Sequence, residues 1–254
     1  MRIAQTAIDG VISPLALLTV LPITRRRIDL ASAGFGLFPV VGLLLGAILL
    51  GVDYLAGLLV PPTASSALVV VGLAALTGAL HLDGLADTAD GLFGGRDRRE
   101  RLAIMRDPRN GAFGFVAIAS VLLLKWAALI PLEGGLRTGS LLLVPALARW
   151  SVLPSMTLFP AAKSGGMGFA VQSAARWPQA VLGCVVSAGL SLAIFWPAGL
   201  ALLALALVVA LSLGAYATSR LGGVTGDVFG CTIEVSEAAL FLLAATSVSH
   251  PWLA

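Results

Sequence analysis

Charged residues are scarce in this chain of 254 residues. Asp, Glu, Lys and Arg together make up 11% of the sequence, whereas 58% of the residues are hydrophobic and the mean hydropathy is +0.99. An ordinary soluble domain carries about 25% charged residues. A water-soluble core could not bury this much apolar surface, so the composition argues against a soluble protein and predicts a polytopic membrane protein.

Cysteine is scarce as well, which limits the disulfide and metal chemistry that the chain can support. The two cysteines, Cys184 and Cys231, lie far apart and have no CxxC spacing, so we interpret them as packing residues. The net charge of +3 comes from arginines in a few loops, and no aromatic-basic interleaving accompanies them. A nucleic-acid partner is therefore not expected. No Ser-His-Asp elbow, Walker loop or GxGxxG fingerprint occurs either.

Apolar segments of about membrane-spanning length recur along the chain. A helix needs roughly 20 apolar residues to cross a 30 Å hydrocarbon core. The predicted spans are residues 37–60, 64–82, 113–131, 139–159, 179–197, 198–218 and 238–253. The first contains Gly42 and Gly46, whose GxxxG spacing predicts close contact with another helix.

The N-terminal 22 residues are apolar but interrupted by Asp9, Gly10 and Pro14. This pattern predicts an interfacial or half-inserted helix, with a full span as the alternative. The fold class that we expect is thus an all-α polytopic membrane protein. It would be a bundle of about six to seven transmembrane helices plus the N-terminal helix, in a single domain over residues 1–254.

Basic residues predict the orientation of this bundle. Counted from residue 37, one set of loops carries nearly all of them: Arg25 to Arg27, residues 96–109, Lys163 with Arg176, and Arg220. The opposite turns, at residues 61–62, 133–137 and 196–197, hold one arginine between them. By the positive-inside tendency, the charged loops face the cytoplasm.

Twelve charged residues crowd into residues 81–111. Asp83, Asp87 and Asp90 are spaced i, i+4, i+7, so a helix would place them within an arc of about 60°. Carboxylates that close repel one another unless a cation lies between them or some are protonated. Oxygen ligands of this kind suit Mg²⁺ or Mn²⁺. A solvated acidic helix face is the alternative, but the apolar surroundings favour the metal site.

A second segment that could take part in the chemistry is the glycine-rich loop at residues 220–227. Glycines let backbone N–H groups approach a phosphate closely, although helix-helix turns also use glycine. Asp227, Glu234 and Glu237 follow at the same membrane surface, and the two glutamates open the last predicted span. These three acids would either join the metal site or cap the helix.

Several isolated polar residues are further candidates. Arg149 lies in mid-span and is a functional candidate by default, whereas Lys125 could also snorkel to the headgroups. The basic, glycine-rich loop at residues 163–168 could bind phosphate or move as a lid. His81 is a candidate metal ligand, second-shell partner or general base, although a continuous helix would point it away from the aspartates.

These features together fit metal-assisted phosphoryl transfer at one membrane surface. The competing class is a cation transporter, which would bind ions near the midplane on broken helices within inverted repeats. Here the acids are predicted to lie in loops and at helix ends, and no repeat is visible, so the enzyme is favoured. A purely structural scaffold would leave the density of acids unexplained.

Three motifs carry a resemblance to a known family. HLDGLADTADGLFGG at residues 81–95, RLAIMRDPRNGAFG at 101–114 and GGVTGDVFGCTIEVSE at 222–237 resemble those of cobalamin synthase, adenosylcobinamide-GDP ribazoletransferase. An early LxxLP at residues 18–22 and the Ala-Arg-Trp at 148–150 also fit. The resemblance covers nearly the whole chain.

The resemblance implies the last step of nucleotide-loop assembly in vitamin B12 biosynthesis. Adenosylcobinamide-GDP and α-ribazole, or its 5′-phosphate, would give adenosylcobalamin, or its 5′-phosphate, and GMP, with Mg²⁺ as cofactor. We expect attack by the ribazole 5′-hydroxyl. The enzyme would be a multi-pass protein of the bacterial inner membrane with its active site facing the cytoplasm. A homo-oligomer is compatible with this function, and the nearest alternative class is the CDP-alcohol phosphotransferases.

This reaction assigns an expected role to each candidate residue. The expected Mg²⁺ ligands are Asp83, Asp87, Asp90 and Asp227, which would hold either one ion or two. The residues expected to hold the substrate phosphates are Arg96, Arg109, Asn110, Gly222, Gly223, Thr225 and Lys163. The expected catalytic residues are His81 or Glu234 as the general base, and Arg149 as a further partner of the diphosphate.

Overall fold

A computed structural model describes residues 2–23, 30, 33–250, 252 and 253. The arginine cluster at residues 25–27, on which part of the predicted orientation depends, lies outside the described residues. Within the described part, the chain is helical and forms no β-strand beyond one isolated bridge between Ala161 and Val224. The expected all-α fold class is therefore confirmed.

Twelve α-helices make up the described part of the chain. Their bounds are α1 Arg2–Leu18, α2 Phe38–Gly57, α3 Pro62–Leu76, α4 Leu80–Gly94, α5 Arg98–Ile104, α6 Ala112–Leu129, α7 Gly134–Trp150, α8 Val152–Leu158, α9 Gly166–Ala174, α10 Trp177–Ile194, α11 Gly199–Leu221 and α12 Gly226–Ser249. A short 3-10 turn leads into α2, and α7 with α8 form one continuous apolar stretch.

Six helical stretches of the described residues are long and apolar enough to cross a membrane. A seventh is α3 with α4, which pass the same test together but are bent by 87° at residues 77–79. The predicted number of six to seven is thus confirmed. Two boundaries were wrong: the second span ends at Leu76 rather than residue 82, and the last begins at Gly226 rather than residue 238.

The tightest packing in the bundle joins α2 to α7. A Cβ added at Gly42 would lie 2.5 Å from the Cα of Ala146, and one at Gly46 would lie 2.9 Å from the Cα of Leu142. Real side chains do not approach that closely, so only glycine permits this contact. The close helix contact predicted from the GxxxG spacing is confirmed.

One end of the bundle is held together by an ion pair between α2 and α7. Arg137 donates hydrogen bonds to both carboxylate oxygens of Asp53, at 2.6 and 2.7 Å, and to the hydroxyl of Ser66. At the same end, the indole of Trp126 donates to the carbonyl of Thr63. The ends of α2 and α6 therefore meet the starts of α3 and α7 here.

The opposite end, which we call the site end, collects the charged loops. The guanidinium of Arg98 donates to the carbonyls of Leu221 and Ala162, both at 2.6 Å. Residues 96–101, 160–163 and 220–225 are thereby tied together, as the sequence grouping predicts. The assignment of this end to the cytoplasm stays a prediction.

Candidate active site

The acid-rich segment folds as helix α4, as its spacing predicts. The helix begins at Leu80, directly after Ala79, whose left-handed backbone (φ 57°) marks the sharp bend from α3. Asp83 is exposed and Asp87 is partly buried. Within the described part of the chain, neither carboxylate forms a hydrogen bond or ion pair. Both remain available for a ligand at the site end.

Asp90, in contrast, is engaged by the start of α6. Its carboxylate accepts hydrogen bonds from the backbone N–H groups of Gly111, at 2.7 Å, and Gly114, at 2.9 Å. These are among the N–H groups that a helix start leaves without intrahelical partners. With 7% of its surface exposed, Asp90 joins α4 to α6. This separates it from the other two acids of the motif.

Asp227 joins Asp83 and Asp87 from the first turn of α12. Thr225 caps this helix, because its hydroxyl accepts from the N–H of Val228 at 3.3 Å and donates to Asp227 at 3.1 Å. Helix α4 comes close because residue 84 is glycine: a Cβ there would lie 2.8 Å from the carbonyl oxygen of Asp227. Asp227 therefore stands at a positive helix end beside the α4 acids.

The three carboxylates generate mutual repulsion. Asp87 lies in the field of Asp83 and Asp227, with a further contribution from Asp90, while Lys163 opposes their charge. An oxygen-only donor set of this kind matches Mg²⁺ in its chemistry. Among the described residues, however, no three acidic, histidine or cysteine side chains already surround a common point. Binding of an ion would require these side chains to turn toward one another.

The predicted phosphate-binding residues differ in their exposure and in the contacts that they already make. Gly222 has a left-handed backbone (φ 76°) and ends α11, since its N–H donates to Thr218 at 2.9 Å. Arg96 and Asn110 are exposed on the loops that flank α5. Arg109 is also exposed but already forms an ion pair of 2.7 Å with Asp107. Gly223 packs against the 160–162 segment rather than opening toward solvent.

A buried ion network lies in the bundle interior, where the sequence predicted separate residues. The ammonium of Lys125 binds both Glu234, at 2.6 Å, and Glu237, and the guanidinium of Arg149 binds Glu237. Lys125 is buried rather than snorkelling, and Arg149 has no exposed surface. The two glutamates lie inside α12, not at its start, so the prediction that they open the span was wrong.

A cavity of about 230 Å³ opens beside the acids. Its polar wall consists of His81, Asp83 and Asp227, and the rest is largely apolar. His81 and Asp83 both line this cavity, which surrounds the first turn of α4. Among the described residues, the charged groups that act on the imidazole of His81 are Arg149, Glu237 and Lys125 of the buried ion network, and none of the aspartates. His81 is 3% exposed, and its Nδ1 atom has no hydrogen-bond partner in the described structure.

Arg98 is a site-end residue that the sequence did not single out. It stands among the arginines between residues 96 and 109, and nothing local distinguishes it from Arg96 or Arg99. Only the structure shows that the guanidinium of Arg98 bridges the carbonyls of Ala162 and Leu221. Two parallel donors of fixed geometry suit arginine and not lysine.

Comparison with known proteins agrees with the resemblance seen in the three sequence motifs. The model of the cobalamin-5-phosphate synthase family matches residues 10–245. The chain belongs to this family. Members of the cobalamin-5-phosphate synthase family are transferases, so this chain is an enzyme. The resemblance inferred from the three motifs is confirmed.

Curated relatives agree with the family match. A protein of Pseudomonas paraeruginosa is 43% identical over 94% of this chain and 98% of its own length. One of Pseudomonas aeruginosa is 46% identical over 81% and 83%, and one of Desulforamulus reducens is 36% identical over 90% and 93%. Each is named adenosylcobinamide-GDP ribazoletransferase. No solved structure matches the chain.

Proposed function

We propose that this enzyme joins adenosylcobinamide-GDP to α-ribazole, or to its 5′-phosphate, with release of GMP. The reaction would complete nucleotide-loop assembly in vitamin B12 biosynthesis. The names of the relatives supply the substrates. The observation that carries the proposal is the meeting of Asp83, Asp87 and Asp227 beside the basic loops. Such a surface suits a diphosphate bridged by a divalent cation.

The chemistry is a displacement at phosphorus. A ribose hydroxyl of the ribazole attacks the phosphorus attached to cobinamide and forms a new P–O bond. The bond from that phosphorus to the oxygen bridging the diphosphate breaks, so GMP leaves with this oxygen. The family name describes a product phosphorylated at the 5 position. Attack by the 5′-hydroxyl, expected from the sequence, is incompatible with that product, so a 2′- or 3′-hydroxyl is the nucleophile.

Asp83, Asp87 and Asp227 would hold Mg²⁺, and Asp90 would fix α4 against α6 beneath them. When bound, Mg²⁺ would neutralise charge on the diphosphate oxygens and stabilise the leaving phosphate. Lys163 would supply positive charge near Asp87, and the exposed Arg96 would reach the outer phosphate. Arg109 would have to leave Asp107 in order to do the same.

The proton of the attacking hydroxyl needs an acceptor. Of the two bases expected from the sequence, Glu234 is bound to Lys125 in the interior, whereas His81 lines the cavity. His81 or a carboxylate of the acid site is therefore the better acceptor. A direct contact between Arg149 and the diphosphate stays a prediction, because its ion pair with Glu237 holds it in the bundle interior.

A location in the bacterial inner membrane, with the site end toward the cytoplasm, is part of the proposal. Its support is the concentration of basic residues in the loops at that end. Nucleotide substrates would then reach the acids directly from the cytoplasm. Cysteines introduced into the 163–168 loop and the 133–137 turn, labelled from either side of sealed vesicles, would test the orientation.

The decisive experiment is the substitution Asp87→Asn in purified, detergent-solubilised enzyme. Because it removes one carboxylate from the proposed metal site, we expect a folded protein with little Mg²⁺-dependent GMP release. Glu133→Gln, an exposed acid at the opposite end, is the matched control and should leave turnover unchanged. Wild-type activity in Asp87→Asn would remove Asp87 from the metal site.

Two further assays separate the alternatives that the sequence left open. A CDP-alcohol phosphotransferase would act on a CDP-linked lipid in place of adenosylcobinamide-GDP. A cation transporter would carry ions into sealed vesicles without any nucleotide. Family membership favours neither, and we expect both assays to be negative while GMP release requires both proposed substrates and stops on chelation of Mg²⁺.

A further inference from the structure

The cavity beside the acids has a character of its own that the phosphoryl-transfer chemistry does not require. Most of its wall is built from buried apolar side chains on several helices, among them Phe38, Val152, Met156, Val171, Phe229 and Ile233. A diphosphate and its metal would gain nothing from such a wall. The cavity is therefore suited to an apolar portion of a substrate.

The size of the cavity limits which portion this is. Sites that enclose a whole cofactor-sized ligand measure about 300–1,000 Å³. At about 230 Å³, this cavity has room for a single ring system and not for a corrinoid or a complete nucleotide. The two proposed substrates offer three aromatic ring systems of suitable size: the adenine of the adenosyl group, the guanine of the GDP portion and the base of the ribazole.

Polarity decides among the three. Guanine and adenine each carry several hydrogen-bonding groups along their edges, and burying these groups against apolar side chains would leave most of them unpaired. The dimethylbenzimidazole of ribazole is apolar apart from one free ring nitrogen, which accepts a hydrogen bond. An apolar wall with few polar members therefore matches the ribazole base better than either purine.

His81 supplies the one polar group that this base needs. The side chain lines the cavity, is buried, and has an Nδ1 atom without a partner in the described part of the protein. Because this Nδ1 atom is itself closed off from solvent, the imidazole can offer only its other nitrogen, Nε2, to a ligand in the cavity. In the neutral tautomer that carries its proton on Nε2, His81 would donate to the free ring nitrogen of the base, which leaves a carboxylate of the acid site as the proton acceptor.

We propose that this cavity is the binding pocket for the aromatic base of the acceptor substrate, with His81 recognising the ring nitrogen. Asp83 and Asp227 line the same cavity, so a ribose attached to the bound base extends toward the acid site. The base pocket thus brings the ribose hydroxyl to the diphosphate. This inference rests on the proposed function, because it presumes ribazole as the acceptor.

Filling the pocket tests the choice of occupant. Val171→Phe adds bulk to the wall from α9, whereas Val185→Phe makes the same change on an exposed face of α10. We expect Val171→Phe to raise the KM for α-ribazole by about 10- to 200-fold, the range for size changes in an apolar pocket. The KM for adenosylcobinamide-GDP should stay unchanged, which also reports a folded enzyme, and Val185→Phe should match the wild type.

Two outcomes of this experiment would overturn the proposal. A raised KM for adenosylcobinamide-GDP with an unchanged KM for α-ribazole would assign the pocket to a purine of that substrate. Equal KM values in Val171→Phe and the wild type would mean that none of these rings enters. If Val171→Phe does not fold, Val171→Ala takes its place, and its enlarged pocket should tolerate a bulkier base than the wild type accepts.

The role of His81 is tested with an acceptor that lacks the ring nitrogen, the α-riboside of dimethylindole. The wild type should use it at least about tenfold less efficiently than α-ribazole, since His81 is left unpaired. His81→Phe should lose this preference, and His250→Phe, at the exposed end of α12, should keep it. Equal losses with both acceptors in His81→Phe would mean general-base catalysis instead and overturn the assignment.

Direct binding separates failure of this inference from failure of the proposed function. Equilibrium dialysis of free dimethylbenzimidazole with the wild type needs no turnover. Binding that Val171→Phe weakens and Val185→Phe does not would support the pocket even if no GMP were released from adenosylcobinamide-GDP. Turnover of both substrates with no difference among the three proteins would instead overturn the pocket and leave the reaction intact.

Discussion

The buried ion network allows the thermal stability of its variants to be predicted from charge balance alone. Two cations, Lys125 and Arg149, face two carboxylates, Glu234 and Glu237, and all four side chains are buried. Glu237 contacts both cations. The substitution Glu237→Gln would leave Arg149 without an ion-pair partner among the described residues, while Lys125 would retain Glu234.

The expected cost of this substitution is large. Breaking a buried ion pair by removing one partner destabilises a protein by about 3–5 kcal/mol, because the remaining charge is uncompensated. For chains of about this length, each kcal/mol shifts Tm by about 2–4 °C. We therefore expect the Tm of Glu237→Gln in detergent to fall by about 6–20 °C, compared at one fixed scan rate because unfolding can be irreversible.

A second substitution should restore part of this loss. In Glu237→Gln with Arg149→Met, both partners of one ion pair are neutral, and the pair of Lys125 with Glu234 stays balanced. Replacing a buried ion pair by apolar groups of similar volume is often neutral or stabilising. We expect the double variant to have a higher Tm than Glu237→Gln alone, although it carries one more change.

Thermal unfolding of four proteins decides the matter: wild type, Glu237→Gln, the double variant and Arg149→Met. Glu133→Gln serves as the control for loss of an exposed carboxylate and should leave Tm within a degree or so of the wild type. Strict additivity of the two single changes would refute the reasoning, because groups in direct contact must couple. An unchanged Tm in Glu237→Gln would refute it as well.

Three further predictions concern the site end. Arg98→Lys cannot bridge two carbonyls as the guanidinium does, so the KM values of the substrates should rise about tenfold, while Arg99→Lys matches the wild type in steady-state kinetics. Asp90→Ala removes the acceptor at the start of α6 and should lower the free energy of unfolding by about 0.5–2 kcal/mol, measured by denaturation in detergent. Hydrogen bonds from Arg109 lower the pKa of Asp107 from 3.8 to about 2. The stabilisation of the folded protein by this ion pair is therefore fully present above pH 3.8 and is lost as the pH falls through about 2. In an NMR titration of Arg109→Ala, the pKa of Asp107 should return to its ordinary range.

Those features of the fold that the lipid bilayer imposes on any spanning helix could be predicted from the sequence. A spanning helix must be long, apolar and internally hydrogen-bonded, so hydropathy located most of the spans. Gly42 and Gly46 were equally readable, since helices in a membrane approach closely only where residues are small. Both patterns are local, which is why one sequence is sufficient to recognise them.

The last span was misplaced because hydropathy counts each charge as a cost. Glu234 and Glu237 made residues 226–237 look too polar to lie inside a helix of the bundle. In the structure their charges are cancelled by Lys125 and Arg149, which come from α6 and α7. The cancelling residues lie more than eighty positions away in the sequence. No local pattern reveals a pairing over that distance.

The acid motif illustrates a second limit, which elementary helix geometry explains. Spacing of i, i+4, i+7 places Asp83, Asp87 and Asp90 on one face, but each residue also rises about 1.5 Å along the axis. Asp90 thus lies about 10 Å beyond Asp83, whereas Mg²⁺ requires oxygens about 2.1 Å away. A single ion is therefore reached more easily by adjacent acids of this motif than by both of its ends, and the carboxylate of Asp90 is already engaged by the N–H groups of Gly111 and Gly114. A compact site must take its third carboxylate from another helix, and Asp227 on α12 is the acid that the fold brings to Asp83 and Asp87, while Asp90 is left to hold α6.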